Sequence, residues 1–295
     1  MQNIHVLNFD DSVIQQNQLC ARYKPLVIDL KDLAPQARFL ISKKNKRILA
    51  KRLEGLTQHS INFLGSGDFH HLSSLLVSQI KEPISLIVFD FHPDWDNRSP
   101  NLSCGSWVKA ALKNKNIQKV IIIGASSFDI STWHLESGSL AALENKRLEI
   151  YPYEHKPSRA FFYGGSFFKK IFWLELKNKN LKLFFTDILA HLPTQKVYIS
   201  IDKDCLKNEF ALTNWEEGLM SLDELLLMLR LLKDKKEIVS LDIAGDYSQV
   251  FVKGWFKKYI SFLDHPQHIA ASKFGLREIT EVNQETNLRL LELLA

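Results

Sequence analysis

At 295 residues and 45% hydrophobic content, the chain is long enough to bury a large core, and it reads as one α/β domain over 1–295 with no Gly/Ser/Pro linker dividing it. Its formal charge of +5 sits largely in lysine clusters, around Lys43–Arg47 and Lys233–Lys236, which read as solvated faces and not as the contiguous basic surface that nucleic acid requires. Cys20, Cys104 and Cys205 form no C-x-x-C pattern, and neither an N-terminal apolar leader nor a long uncharged apolar span is present. The composition therefore excludes a disulfide scaffold and a transmembrane bundle, and a reducing, cytoplasmic setting is expected.

In chain order, the first informative strand-like run is Ile61-Asn62-Phe63-Leu64. It leads into Gly65-Ser66-Gly67-Asp68-Phe69-His70-His71, where the glycines permit a sharp turn and two histidines stand at a loop-to-helix junction. Ile84 to Phe89 is apolar throughout, as a strand buried on both faces of a parallel sheet would be, and it continues into Asp90-Phe91-His92-Pro93-Asp94-Trp95-Asp96. Polar residues just past such a strand lie where open α/β sheets bind ligands. If the backbone stays extended there, Asp90, His92 and Asp94 point to one side and offer a hard divalent cation two carboxylates and an imidazole.

A helix is predicted over Gly105–Leu112 and a strand over Lys119–Ile123. Ser158 to Leu176 interleaves Arg159, Lys169 and Lys170 with Phe161, Phe162, Tyr163, Phe167, Phe168, Phe172 and Trp173. That composition suits a partner surface, a membrane-facing patch, a buried strand-loop unit or a substrate lid. Val197–Ile201 is the next strand, and it ends in Asp202-Lys203-Asp204. Alone, this pair also reads as a loop start that caps the next segment. Beside the Asp90 motif it reads as a second ligand pair, since two buried carboxylates need a counter-charge and a metal supplies one.

Ser221 is a candidate N-cap, followed by Asp223 and Glu224, for a core helix over Leu222–Leu232. Ile238 to Ala244 forms another strand and leads into Gly245-Asp246-Tyr247, and Thr280–Leu294 closes the chain as an amphipathic helix. Strands alternating with helices predict a three-layer α/β/α architecture with a mainly parallel central sheet.

The segments Ser66-Gly67-Asp68-Phe69-His70, Asp90-Phe91-His92-Pro93-Asp94, Ser200-Ile201-Asp202-Lys203-Asp204 and Asp242-Ile243-Ala244-Gly245-Asp246 together resemble, in order and spacing, the motifs of the ureohydrolase superfamily of arginase, agmatinase and formiminoglutamase. The resemblance implies an arginase/deacetylase-like fold and a pair of manganese ions, with zinc or another divalent ion as alternatives. It assigns Asp90 and Asp202 as bridging ligands, His92 and Asp204 to one ion, and His70 and Asp94 to the other, with His71 the alternative to His70. A hydroxide between two cations is a strong nucleophile at neutral pH. In this superfamily it cleaves a C–N bond of a guanidino- or amidino-type small molecule.

Three departures stand beside the resemblance. Phe69 displaces the histidine by one position. Ser103 or Cys104 stands where an Asn-x-His-Gly segment, here beginning at Asn101, carries a proton-shuttling histidine. Asp246 replaces, displaced and one methylene shorter, the glutamate that pairs with a guanidinium. Asp94, Cys104 and Asp246 are thus the candidate catalytic residues, and Trp95, Asp96, Asn97, Asn101, Trp215 and Asp246 the candidate substrate contacts, with Trp107 a further possible wall. Two other readings are a single-zinc, deacetylase-like amide hydrolase and a non-catalytic protein that retains the metal site. A small-molecule substrate and no nucleic-acid partner are expected, and assembly into a homo-oligomer is the superfamily's habit.

Overall fold

Eight short runs rich in β-branched and apolar residues pair side by side into one parallel sheet. The computed structural model describes residues 3–56, 59–161, 168–250 and 273–295. In chain order the strands are β1 (Asn3–Asn8), β2 (Leu26–Asp29), β3 (Ser60–Gly65), β4 (Ile84–Phe89), β5 (Ile117–Gly124), β6 (Leu148–Pro152), β7 (Lys196–Asp202) and β8 (Glu237–Ala244). Their spatial order is β2-β1-β3-β8-β7-β4-β5-β6, with every neighbouring pair parallel. Parallel pairing needs crossover connections, and the helices that supply them cover both faces.

The strands β3, β8, β7 and β4, which lead into the four motifs, are therefore the four central neighbours of the sheet. Alternation along β4 splits the core. Leu86 and Val88 pack with Leu49, Leu76 and Trp107 on one face, while Ile87 and Phe89 pack with Phe185, Leu229 and Leu291 on the other. The second face holds the helices Leu181–Ala190, Leu222–Lys235 and Leu276–Leu294. Ser221 caps the middle one through the Glu224 amide, and the Glu224 carboxylate accepts the Ser221 amide in return, a reciprocal capping box. This is the three-layer α/β/α fold expected from the sequence.

Two local expectations are corrected. The helix predicted from Gly105 begins at Trp107, because Cys104–Ser106 forms a single tight turn first. The backbone does not stay extended through Asp90–Asp94: β4 ends at Phe89, and Asp94 adopts a left-handed conformation at φ 47°. Asp90, His92 and Asp94 thus meet through a folded turn and not through strand alternation. Of the aromatic segment Ser158–Leu176, Ser158–Phe161 pairs antiparallel with Phe168–Ile171, while 162–167, including Phe162, Tyr163 and Phe167, lie outside the described residues. Its described residues do not line the central cavity. Among the described residues no helix is long and apolar enough to cross a membrane.

Candidate metal centre

Register decides which side chains meet. Ile201 pairs with Phe89 across β7 and β4, so the next residues, Asp202 and Asp90, leave adjacent strands side by side. The turn after β3 brings His70 to the same place. Gly67 makes that approach possible: a Cβ there would lie 2.8 Å from Asp202 Oδ2 and 3.0 Å from Trp215 Cδ1.

His70 Nδ1 stands 3.2 Å from Asp90 Oδ2, 3.2 Å from Asp94 Oδ2 and 3.4 Å from Asp202 Oδ2. His92 Nδ1 lies 2.9 Å from Asp204 Oδ2 and 3.8 Å from Asp90 Oδ1. Two donor groups result, His70–Asp90–Asp94 and Asp90–His92–Asp204, and they share Asp90. All six expected ligands converge, and His70, not His71, is the histidine in the cluster.

The outer nitrogens of the two imidazoles show which way their lone pairs point. Ser200 Oγ donates to Asp242 Oδ1 at 2.6 Å, so it has its lone pairs left for His70 Nε2, 2.9 Å away, which must donate. His92 Nε2 faces a carboxylate oxygen, Glu216 Oε2, at 3.0 Å and donates to it. Each ring thereby turns Nδ1 toward the acidic cluster. A lone pair aimed at carboxylates is repulsive unless a proton or a cation lies between them.

The titration behaviour follows from this crowding. Burial, then the charges of Asp94 and Asp204, pushes the Asp90 carboxyl well above the usual range. Burial, then Asp204, pushes Asp202 up to about 7. For His70 burial opposes protonation, but Asp90 and Asp94 outweigh it and hold the imidazolium well above its ordinary value. His92 is raised likewise against burial, by Asp204 and Glu216. Asp90 Oδ2 is buried, and the His70 Nδ1 contact at 3.2 Å is all that faces it among the described residues.

These features fit a cation pair. Ligand atoms about 2.1 Å from an octahedral ion stand about 3.0 Å apart, close to the spacings around His70 Nδ1. Carboxylates with imidazole are the donors that manganese and other hard or borderline divalent ions take. Neighbours brace the set: Trp107 Nε1 donates to Asp94 Oδ2 at 2.7 Å, and the Phe91 amide donates to Asp204 Oδ1 at 3.0 Å.

A cavity of about 500 Å³ opens over the cluster. Of the residues expected from the sequence, Asp90, His92, Asp94, Trp95, Asp96, Asn101, Cys104, Asp202, Asp204 and Trp215 line it. His70 lies beneath, 1% exposed. Three others are placed elsewhere. Asn97 holds the loop by donating to the Gly138 carbonyl, and Trp107 is fully buried. Asp246 is buried in an ion pair with Lys203 and does not face the cavity, because Lys203, Gln16 and Asn287 already take its carboxylate. Glu216 and Ser200 are the outer partners of the two histidines, a role the sequence reading does not give them. Their separations of 124 residues from His92 and 130 from His70, for Glu216 and Ser200, leave no local signal to find them by.

No family model matches the chain. An uncharacterized protein of Thermotoga maritima is 31% identical over 186 residues, 63% of this chain and 58% of the relative, so the match spans little more than half the relative's length. Among solved structures, the formimidoylglutamase of Bacillus subtilis has 14% identity and a TM-score of 0.61 over 99% of this chain and 85% of its own. The proclavaminate amidino hydrolase of Streptomyces clavuligerus has 13% identity and a TM-score of 0.59 over 100% and 92%. The arginase of Bacillus subtilis has 14% identity and a TM-score of 0.56 over 98% of both chains. The chain has the arginase-like fold of these proteins.

Proposed function

We propose that this chain is a divergent member of the ureohydrolase superfamily, a dinuclear-metal hydrolase that cleaves a C–N bond of a guanidino- or amidino-type small molecule. The observation that carries the reading is the pair of donor groups sharing Asp90 at the central strand ends of an arginase-like fold. Asp90 and Asp202 would bridge two manganese ions, His70 and Asp94 would complete one shell, and His92 and Asp204 the other. When bound, the two ions supply the Lewis acidity for hydrolytic attack on an electrophilic carbon.

The chain's own residues set the rest. Trp107 fixes the Asp94 carboxylate, and Glu216 and Ser200 fix the two imidazoles in the tautomer that presents Nδ1. Trp95 and Trp215 wall the cavity and limit its water, and Trp215 is held in place by donating to Asp68 Oδ1 at 3.0 Å. Asp96 and Asn101, also on the lining, are the polar groups proposed to orient a substrate. Cys104 lines the same wall, next to Ser103, where relatives of this fold were expected to place a shuttling histidine. We assign the proton-moving step to this wall and leave Asp246 out of the substrate set.

A single-zinc reading would leave one of the two donor groups without a cation, which disfavours it. The test is a screen of manganese-loaded protein for urea or ammonia release from arginine, agmatine, guanidinobutyrate, formiminoglutamate and related amidines. Turnover of one of them, lost on chelation and restored by manganese, is the expected result. Full metal loading with no C–N hydrolysis across the panel would contradict the activity while leaving the metal centre standing.

A further inference from the structure

Lys203 stands between two carboxylates of the cluster, yet its side chain turns elsewhere. Its Nζ donates to Asp246 Oδ1 at 2.8 Å and reaches Asn283 Oδ1 at 3.4 Å. Both charged side chains are buried, at 0% and 1% exposure. Asp246 Oδ1 also accepts Gln16 Nε2 at 2.7 Å and Asn287 Nδ2 at 3.1 Å, and Asn287 donates to Gln16 Oε1 at 2.9 Å. One carboxylate therefore gathers donors from the N-terminal segment, the Asp202–Asp204 turn and the terminal helix Leu276–Leu294.

Lys203 is the middle residue of the turn that carries the metal carboxylates Asp202 and Asp204. Asp204's amide donates to Asp202 Oδ1 at 3.2 Å, so the turn and the Asp202 carboxylate move together. Gly245, preceding Asp246, packs so close that a Cβ would stand 2.5 Å from Asp202 Oδ1 and 2.6 Å from the Lys203 amide nitrogen. Stability alone explains such a pair poorly, because replacing a buried ion pair by apolar side chains of similar size is often neutral or stabilising.

We propose that Lys203 and Asp246 are positioning residues for the metal centre, tying the Asp202–Asp204 turn to Gln16 and the terminal helix. The inference rests on the dinuclear reading above. It makes the metal affinity of the strand ends depend on the last helix of the chain, through Asn283 and Asn287.

The test compares manganese binding by titration calorimetry in the full-length chain, wild type against the Lys203→Met/Asp246→Leu double variant, with thermal midpoints of both metal-free proteins. The expected result is a metal-free midpoint near that of wild type and a manganese affinity lower by about 10- to 100-fold, the usual cost of losing groups that orient ligands. A folded double variant that binds manganese as tightly as wild type would overturn the proposal. Should the double variant not fold, Asn287→Ala answers the same question from the helix side. A measurable loss of manganese affinity supports the tie, and wild-type affinity refutes it. A wild-type chain that binds no manganese would instead remove the dinuclear reading, and this inference with it.

Discussion

The two histidines of the cluster sit in opposite surroundings. His70 is 1% exposed, and behind it Ser200, Ser73 and Tyr198 all donate to one buried carboxylate, Asp242. His92 is 14% exposed, meets the edge of Trp215 with ring centroids 5.5 Å apart, and is backed by Glu216, a residue 41% exposed. One half of the centre is built into the core. The other faces the cavity on a loop. Both imidazoles nevertheless present Nδ1 to the acidic cluster and have Asp90 in common, so the cluster combines a buried floor with a wall that solvent and a ligand can reach.

The largest effect is expected where the two halves overlap. Asp90→Ala removes the shared carboxylate and should lower bound manganese from about two ions per chain toward none, measured by elemental analysis after dialysis. Retention of two ions would mean that Asp90 is not common to both shells. Next, His70→Ala and His92→Ala should each leave about one ion, but they should differ in stability. His70→Ala opens a buried cavity and removes the donor to Ser200 Oγ, which should cost about 2–4 kcal/mol in metal-free denaturant unfolding, and His92→Ala, at the cavity wall, should cost less. Equal losses would erase the contrast between floor and wall.

The outer partners should show a smaller version of the same asymmetry. Ser200→Ala and Glu216→Gln should each weaken manganese binding by up to about 10- to 100-fold. Glu216→Gln should lie at the low end, because the amide oxygen can still accept from His92 Nε2. Calorimetric affinities that rank the two in reverse would place the more important orienting contact at the exposed wall.

The mildest test is pH. Asp202 is pushed up to about 7 by burial and Asp204, and Asp90 is raised in the same direction by burial. A carboxyl whose folded value lies above its unfolded value of about 3.9 holds its proton more tightly when folded, so metal-free stability should fall as pH rises from about 4 through 7. The raised imidazole of His70 continues the fall above its ordinary value of about 6.5, where its stabilising proton is lost as pH rises. Thermal midpoints of the metal-free chain should therefore drop over that window, and manganese should remove the drop. A midpoint that climbs with pH in the absence of metal would contradict the assigned crowding.

Much of this arrangement was legible in the residue order, for identifiable reasons. Ile84–Phe89 and Val197–Ile201 are short, apolar, β-branched runs of the kind a doubly covered strand takes, and both occupy the sheet centre. The meeting of Asp90 with Asp202 follows from parallel neighbours of matched length. The left-handed Asp94 was not legible, since nothing local marks an aspartate for φ 47°. Nor was the fate of Asp246: the sequence reading makes it a substrate contact, but Lys203, Gln16 and Asn287, up to 230 residues away, draw its carboxylate into the core. Contacts of that range are decided by packing, and periodicity carries no trace of them.

The central claim is that two cations are bridged by shared carboxylates, Asp90 among them, and an electron paramagnetic resonance spectrum of the manganese-loaded chain reads this directly. The account predicts the multiline, exchange-coupled signal of a bridged pair, replaced in Asp90→Ala by a weak signal or none. A wild-type spectrum showing only the six lines of isolated manganese at full loading would contradict it.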